Sequence, residues 1–228
     1  RIREFGMDAG VTQDVFDRLE RLGQREDSAM QVSAFVYSPE GMSGVQTVAF
    51  ELASQSETSI DHVFCPAGGG GMCVAVARGF QRLNESEQLW NIPAVHCVQP
   101  EGNNTIAGPL RNGNEQAQDV ACTTQVSGLQ VASVVDGHLA VSECRATGGN
   151  GHLVTDESVW DIQRRLSREE GVFCEPAGAV ALTGAIRAAQ QGELDPDAVI
   201  VCMVTGSGFK DPAAMDRMTD DLDCPVMD

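Results

Sequence analysis

Lysine is almost absent from this chain of 228 residues: Lys210 is the only one among 15 basic residues, and positions 1–62 contain none. Arginine takes its place against 33 acidic residues, leaving a net charge of −18 spread over the surface rather than gathered in a tail. So acidic a chain lacks the basic surface that nucleic acids and acidic membranes require, and we expect it to bind neither. Long hydrophobic runs are missing too. None approaches the roughly 20 residues of a membrane span, and an apolar fraction of 42% fits a soluble, cytoplasmic globular protein. The eight cysteines include no C-x-x-C pair. The four histidines (His62, His96, His138 and His152) are scattered, with neither metal-ligand spacing nor a Ser-His-Asp or Cys-His arrangement, so no metal site is expected. Cysteines in apolar runs such as V-F-C-P and V-I-V-C-M-V read first as buried free thiols and second as disulfides. No signal-peptide pattern opens the chain. Its Arg1-Ile2-Arg3 start reads as the end of a strand whose upstream neighbour is removed or lies on another chain.

What is present is alternation. Positions 11–22 carry Val, Phe and Leu at helical spacing behind Thr12 and Asp14, and predict a helix. Positions 32–37 predict a short strand entering a turn at Ser38-Pro39-Glu40-Gly41. A helical pattern over 46–55 leads to an apolar strand at 62–65, four glycines, and a helix from about Cys73 to Leu83. A second buried strand is predicted over 92–98, followed by a turn at Gln99-Pro100-Glu101-Gly102. The stretch 103–152, rich in Gly, Asn, Thr and Ser, predicts a long excursion over the surface. Helices follow over 154–170, with a cap at Thr155-Asp156-Glu157-Ser158, and over 176–190; a last strand covers 199–204. Fully apolar strands alternating with helices predict an α/β fold: an open, largely parallel sheet with helices on both faces. The composition shift at 38–45 divides the chain into 1–45, the remnant of a smaller domain with a linker, and 46–228, a larger ligand-binding α/β domain.

Two loops carry the chemistry. Without Cβ atoms, Gly68, Gly69, Gly70 and Gly71 can turn several backbone N–H groups toward one anion, and the following helix adds unpaired donors and the positive end of its dipole. A tight turn would use the same residues, but four glycines between a strand and a helix favour a phosphate. The spacing is not G-x-G-x-x-G, which points to a small phosphorylated cofactor rather than a dinucleotide. At the other loop, Thr205 closes an apolar strand and opens Gly206-Ser207-Gly208. Its hydroxyl is placed to hydrogen-bond a pyridine nitrogen without protonating it, or else to satisfy the backbone of its own turn.

Gly68-Gly69-Gly70-Gly71 after V-F-C-P-A, Glu175-Pro176-Ala177-Gly178-Ala179 after G-V-F-C, and T-G-S-G-F-K-D-P at 205–212 occur in that order. Together they resemble the C-terminal half of the fold-type-II pyridoxal phosphate enzymes, the family of tryptophan synthase β, threonine deaminase and threonine synthase. The stretch S-P-E-G-M-S-G-V-Q-T-V-A-F-E-L at 38–52 and the T-G-x-G-x-K-D-P ending are most similar to the threonine synthase branch. The likeness covers nearly the whole chain. It implies pyridoxal 5'-phosphate as cofactor, with its phosphate on Gly68, Gly69, Gly70, Gly71 and the Met72 amide and its pyridine nitrogen at Thr205. Glu175 would sit near the cofactor at the start of its helix, with helix capping as its other reading. The resemblance also implies a small amino-acid substrate and a homo-oligomer. A neutral hydroxyl at the pyridine nitrogen leaves the ring a weaker electron sink than a carboxylate would, which suits elimination and replacement.

The chain departs from the family at one point. The family's Schiff-base lysine precedes the glycine loop, where this chain has no lysine. Lys210 follows the pyridine contact and is expected to pair with Asp211 or fix the turn. No catalytic residue is therefore assigned, and the chain is expected to be inactive without a missing N-terminal segment or a partner chain. The complete enzyme would release phosphate from O-phosphohomoserine and add water to give threonine, the missing lysine shuttling protons. Two other readings stand beside this one: a lysine-less pseudoenzyme that kept a phosphate-ligand cradle, and a serine or threonine deaminase or cysteate-forming enzyme.

Overall fold

The computed structural model describes residues 32–220 together with Arg18 and residues 21–27. Its four strands are β1 (His62–Pro66), β2 (Ala94–Pro100), β3 (Gly151–Val154) and β4 (Ile200–Cys202). They form one parallel sheet in the order β3-β2-β1-β4, with Phe64 opposite His96 and Cys65 opposite Cys97. Successive side chains point to opposite faces, so Val63, Cys65, Val95 and Cys97 enter one core while Phe64, Val98 and Val154 enter the other. Burial on both faces is why β1 and β2 read as apolar runs rather than as alternating ones.

The first face is covered by α1 (Pro39–Val45), α2 (Thr47–Gln55), α3 (Gly71–Glu85) and α5 (Gly137–Ala146). Among these, α3 buries Cys73, Val74, Ala77 and Phe80. The second face is covered by α6 (Asp156–Glu169) and α7 (Pro176–Gln190). A short α4 (Ala107–Arg111) packs beside β3, and α8 (Pro212–Thr219) beside α6. Local chemistry sets the ends: Thr155 caps α6 by accepting from the Ser158 amide, and Pro39 and Pro176 open α1 and α7.

The expected open parallel sheet, with helices on both faces, is what forms. Four local expectations are corrected. Positions 32–37 form a turn instead of a strand, because the Phe35 and Val36 amides donate to the Asp136 carboxylate and not to a neighbouring strand. The turn expected at 38–41 is the first turn of α1, where Pro39 supplies a helical φ. β2 runs on to Pro100, two residues past its expected end. The stretch 103–152 is no surface excursion: it contains α4, α5 and the start of β3 and buries Ile106, Ala107, Leu110, Ala140 and Val141. The helix expected over 11–22 falls largely outside the described residues.

Three of the four histidines, scattered in sequence, meet across the sheet. The Asn150 amide donates to His96 Nδ1 (3.1 Å), which places the imidazole proton on Nε2, 3.0 Å from His62 Nδ1. His152 Nε2 lies 3.1 Å from His96 Nδ1, and the His96 ring stacks on Phe64 at 4.4 Å. Burial, then the neighbouring histidines, pushes His96 down to about 3. Burial likewise lowers His152 to about 4, with Arg111, Arg187 and His62 adding to the shift against the opposing pull of Glu193. Both rings stay neutral in the fold while their unfolded counterparts protonate below the ordinary value near 6.5. Their contribution to stability is therefore full above that value and declines as the pH falls toward 4 and 3. Between pH 7 and pH 5 each should cost about 2 kcal/mol of unfolding free energy. Urea unfolding of His152→Gln at the two pH values should show a pH loss smaller than wild type by about that amount.

Candidate functional site

β1 and β4 are neighbours, but the chain leaves β1 for β2 on one side and reaches β4 on the other. The strand order reverses there, and ligands of open α/β sheets bind beyond the carboxyl ends of strands at such a point. Both chemically marked loops arise there: residues 67–70 after β1, and residues 203–207 after β4.

The glycine loop is held by its carbonyl groups. Gln99, fully buried at the end of β2, donates from Nε2 to the carbonyls of Ala67 (3.2 Å) and Gly68 (3.3 Å) and to Thr105 Oγ1 (2.9 Å). Its Oε1 accepts from the amides of Ile106 (2.7 Å) and Ala107 (2.9 Å), so its amide group is fully used. The Gly69 carbonyl accepts from the Asp136 amide, and the Gly70 carbonyl from Val74 in the first turns of α3. The amides of residues 68–72 have no acceptor among the described residues. With its acceptors tied inward and its donors free at the N-terminus of a 15-residue helix, the loop has the polarity an anion requires. Gly70 has φ +96°, and a Cβ there would lie 2.9 Å from side-chain atoms of both Ala140 and Ile106. Only glycine fits this position.

The second loop is organised by Glu175, a buried residue immediately before α7. The Thr205 hydroxyl donates to its Oε1 (3.2 Å), and Lys210 Nζ lies 2.8 Å from its Oε2. The Glu175 amide donates to the Gly206 carbonyl, and a Cβ on Gly206 would collide with the same carboxylate. The Glu175 side chain does not cap its helix. β4 ends at Cys202, so Thr205 stands three residues beyond the strand and not at its end. The expected pairing of Lys210 with Asp211 does not occur. Asp211 instead accepts from Ser127 Oγ (2.6 Å) and caps α8 through the Ala214 amide (2.9 Å). Burial acts to raise the Asp211 carboxyl, but these bonds and nearby Arg217 outweigh it and hold the group below the usual range.

One segment joins the two halves. A Cβ on Gly68 would lie 3.1 Å from Val131 and 3.4 Å from the Gly128 carbonyl, a Cβ on Gly128 would lie 3.7 Å from Ala177, and Ser127 reaches Asp211. Residues 68–72, Glu175 and Thr205 are thus gathered around the switch point. Gln99 and Asp136, on which the loop's shape depends, were not singled out from sequence. Their signals were a polar residue closing a buried apolar strand, and an Asp-Gly pair before a helical run.

An open parallel sheet with helices on both faces, and a run of backbone amides without acceptors among the described residues at its switch point, defines an α/β protein of the ligand-binding, doubly wound class. The family model described as pyridoxal-phosphate dependent enzyme matches residues 1–206. The chain belongs to that family, whose members depend on pyridoxal phosphate. It is 30% identical over 189 residues to threonine synthase of Methanocaldococcus jannaschii, covering 81% of this chain and 46% of that protein. The threonine synthase of Methanosarcina acetivorans is 29% identical over 182 residues, covering 77% and 44%. The chain spans about half the length of the curated relatives it matches. Among solved structures, maize serine racemase superposes with a TM-score of 0.68 at 20% identity, covering 89% of this chain and 59% of that one. Threonine deaminase isoform 2 of Solanum lycopersicum gives 0.67 at 19%, covering 90% and 55%. These last two likenesses bear on the fold alone.

Gln99→Leu would strand the Ala67 and Gly68 carbonyls and the Ile106 and Ala107 amides. We expect it to lower unfolding free energy by at least about 3 kcal/mol, measured by urea titration. Millimolar inorganic phosphate should raise the melting temperature of the wild-type chain and leave that of Gly70→Val unchanged.

Proposed function

We propose that this chain is the cofactor-holding part of a threonine synthase-like enzyme that, when complete, releases phosphate from O-phosphohomoserine and adds water to give threonine. The observation that carries this reading is the run of free amides at residues 68–72, paired across the switch point with the Thr205 hydroxyl. The amides of Gly68, Gly69, Gly70, Gly71 and Met72 would hold the phosphate of pyridoxal 5'-phosphate, and Thr205 would meet its pyridine nitrogen. When bound, the cofactor supplies an electron sink for chemistry at the α and β carbons of an amino acid. The Thr205 hydroxyl donates its single proton to Glu175 and would exchange that bond for one to the ring nitrogen when the cofactor is bound, while Glu175 keeps the Lys210 ammonium paired, so Lys210 acts as a counter-ion on that side of the site. The reacting amine and the contacts to the substrate carboxylate and phosphate would come from a segment or partner chain outside this sequence. Residues 1–45 would be the end of the smaller domain, and the assembled protein a homo-oligomer in the cytoplasm. Similarity to threonine synthases over four-fifths of the chain supports the choice of substrate.

A second reading is a lysine-less protein that binds a phosphorylated ligand without turnover. The engagement of the sole lysine by Glu175 favours it for the chain by itself.

Two measurements separate these readings. Incubated with one equivalent of pyridoxal phosphate and then borohydride, the chain should bind the cofactor reversibly and leave Lys210 unmodified; stoichiometric capture on Lys210 would overturn its counter-ion role. The product of the full reading frame should release phosphate from O-phosphohomoserine with formation of threonine. Deamination of threonine in its place would make it a deaminase, and cofactor binding without either reaction would favour the non-catalytic reading.

A further inference from the structure

The row of histidines ends on an unmatched acceptor at the β3 edge of the sheet. His96 Nδ1 accepts the Asn150 amide, so the nitrogen 3.1 Å from it, His152 Nε2, carries a proton and donates to it as well. Burial keeps the His152 ring neutral by lowering it to about 4, and a neutral ring protonated on Nε2 has a bare lone pair on Nδ1. The group facing that lone pair is the Glu193 carboxylate, with Oε2 3.7 Å away. Arg111 donates to this carboxylate and holds it ionised, below its usual range. Two acceptors therefore face each other with no proton between them, although the His152 side chain is only 5% exposed. Nδ1 has no hydrogen-bond partner among the described residues.

This pair borders a cleft of about 220 Å³ lined by Glu101, Arg111, His152 and Arg187. Those residues come from four places: the turn after β2, the end of α4, β3 and α7. Arg187 donates from Nη1 to the Leu153 carbonyl (2.6 Å) and to Glu101 (3.5 Å), and its other N–H groups have no acceptor among the described residues. The Arg187–Glu101 pair is long and half exposed, so opening it costs little. Two guanidiniums stand against two carboxylates, Arg111 and Arg187 against Glu101 and Glu193. That balance disfavours a simple anion or a simple cation and fits a neutral molecule carrying both charges. The cleft is smaller than the roughly 300–1,000 Å³ of drug-sized pockets, which limits its ligand to a few heavy atoms.

We propose that this cleft binds a small α-amino acid as its zwitterion, with the ammonium between His152 Nδ1 and Glu193 and the carboxylate on Arg187. The ammonium supplies the protons that both acceptors lack, in charge-assisted hydrogen bonds of the stronger kind. The carboxylate takes the remaining N–H groups of Arg187, whose planar fork matches its geometry. The cleft lies at the β3 edge, whereas the glycine loop follows β1, two strands away in the sheet. This inference is independent of the substrate assigned above.

The test titrates the wild-type chain with glycine and with L-threonine, reading heat by calorimetry and the ring-nitrogen resonances of the histidines by NMR. His152 is assigned by the loss of its signals in His152→Gln. The expected result is a shift of the His152 Nδ1 resonance as it gains a hydrogen bond, in step with the heat of binding. Arg187→Gln and Glu193→Gln should each weaken binding about tenfold or more, since each removes a charged partner. Arg165→Gln, on the exposed face of α6, should leave binding unchanged. Acetate and ethylammonium, each carrying half of the zwitterion, should bind more weakly than glycine. An unmoved His152 resonance, full affinity in Arg187→Gln, acetate or ethylammonium binding as tightly as glycine, or no binding of either amino acid would overturn the proposal.

Discussion

The site depends on one buried amide. Gln99 lies where β2 ends, and both ends of its side chain are used: Nε2 holds the carbonyls that enter the glycine loop, and Oε1 accepts the first amides of α4. Fixing the carbonyls fixes the peptide planes, and with them the direction of the N–H groups. Each buried polar group here would carry a desolvation cost if left unpaired. The loop is therefore held in one orientation by the same bonds that satisfy it.

That orientation leaves amides without acceptors among the described residues at a helix N-terminus, in a chain of net charge −18. Backbone N–H groups and a helix N-terminus supply a local positive field without any cationic side chain. Lys210 pairs with Glu175, a buried carboxylate that would otherwise sit unneutralised. Residues 127–131 pack against Gly68 on one side and reach Ala177 and Asp211 on the other.

The strands at 62–66 and 94–100 and the helices at 71–85, 156–169 and 176–190 were legible because their patterns are local: apolar runs bounded by Gly and Pro, and caps such as Thr155 that bond within their own turn. The errors share one cause. Positions 32–37 look like a strand until Asp136, a hundred residues away, takes their amides. The stretch 103–152 looks aperiodic because its elements are short and its buried residues are held by partners elsewhere, as Ile106 and Ala107 are by Gln99.

By itself, the sequence determined the class of fold, the glycine loop, the order of the three motifs and the want of a second lysine, since these rest on residue type and short-range spacing. Only the tertiary structure decided which way the loop's amides point, that Lys210 pairs with Glu175 rather than Asp211, that three histidines form one row, and that four cysteines are buried in one core. The loop, lysine and histidine contacts join residues 30 or more positions apart, several of them set by sheet register. No local pattern encodes them, because they exist only once β1, β2 and β4 lie side by side.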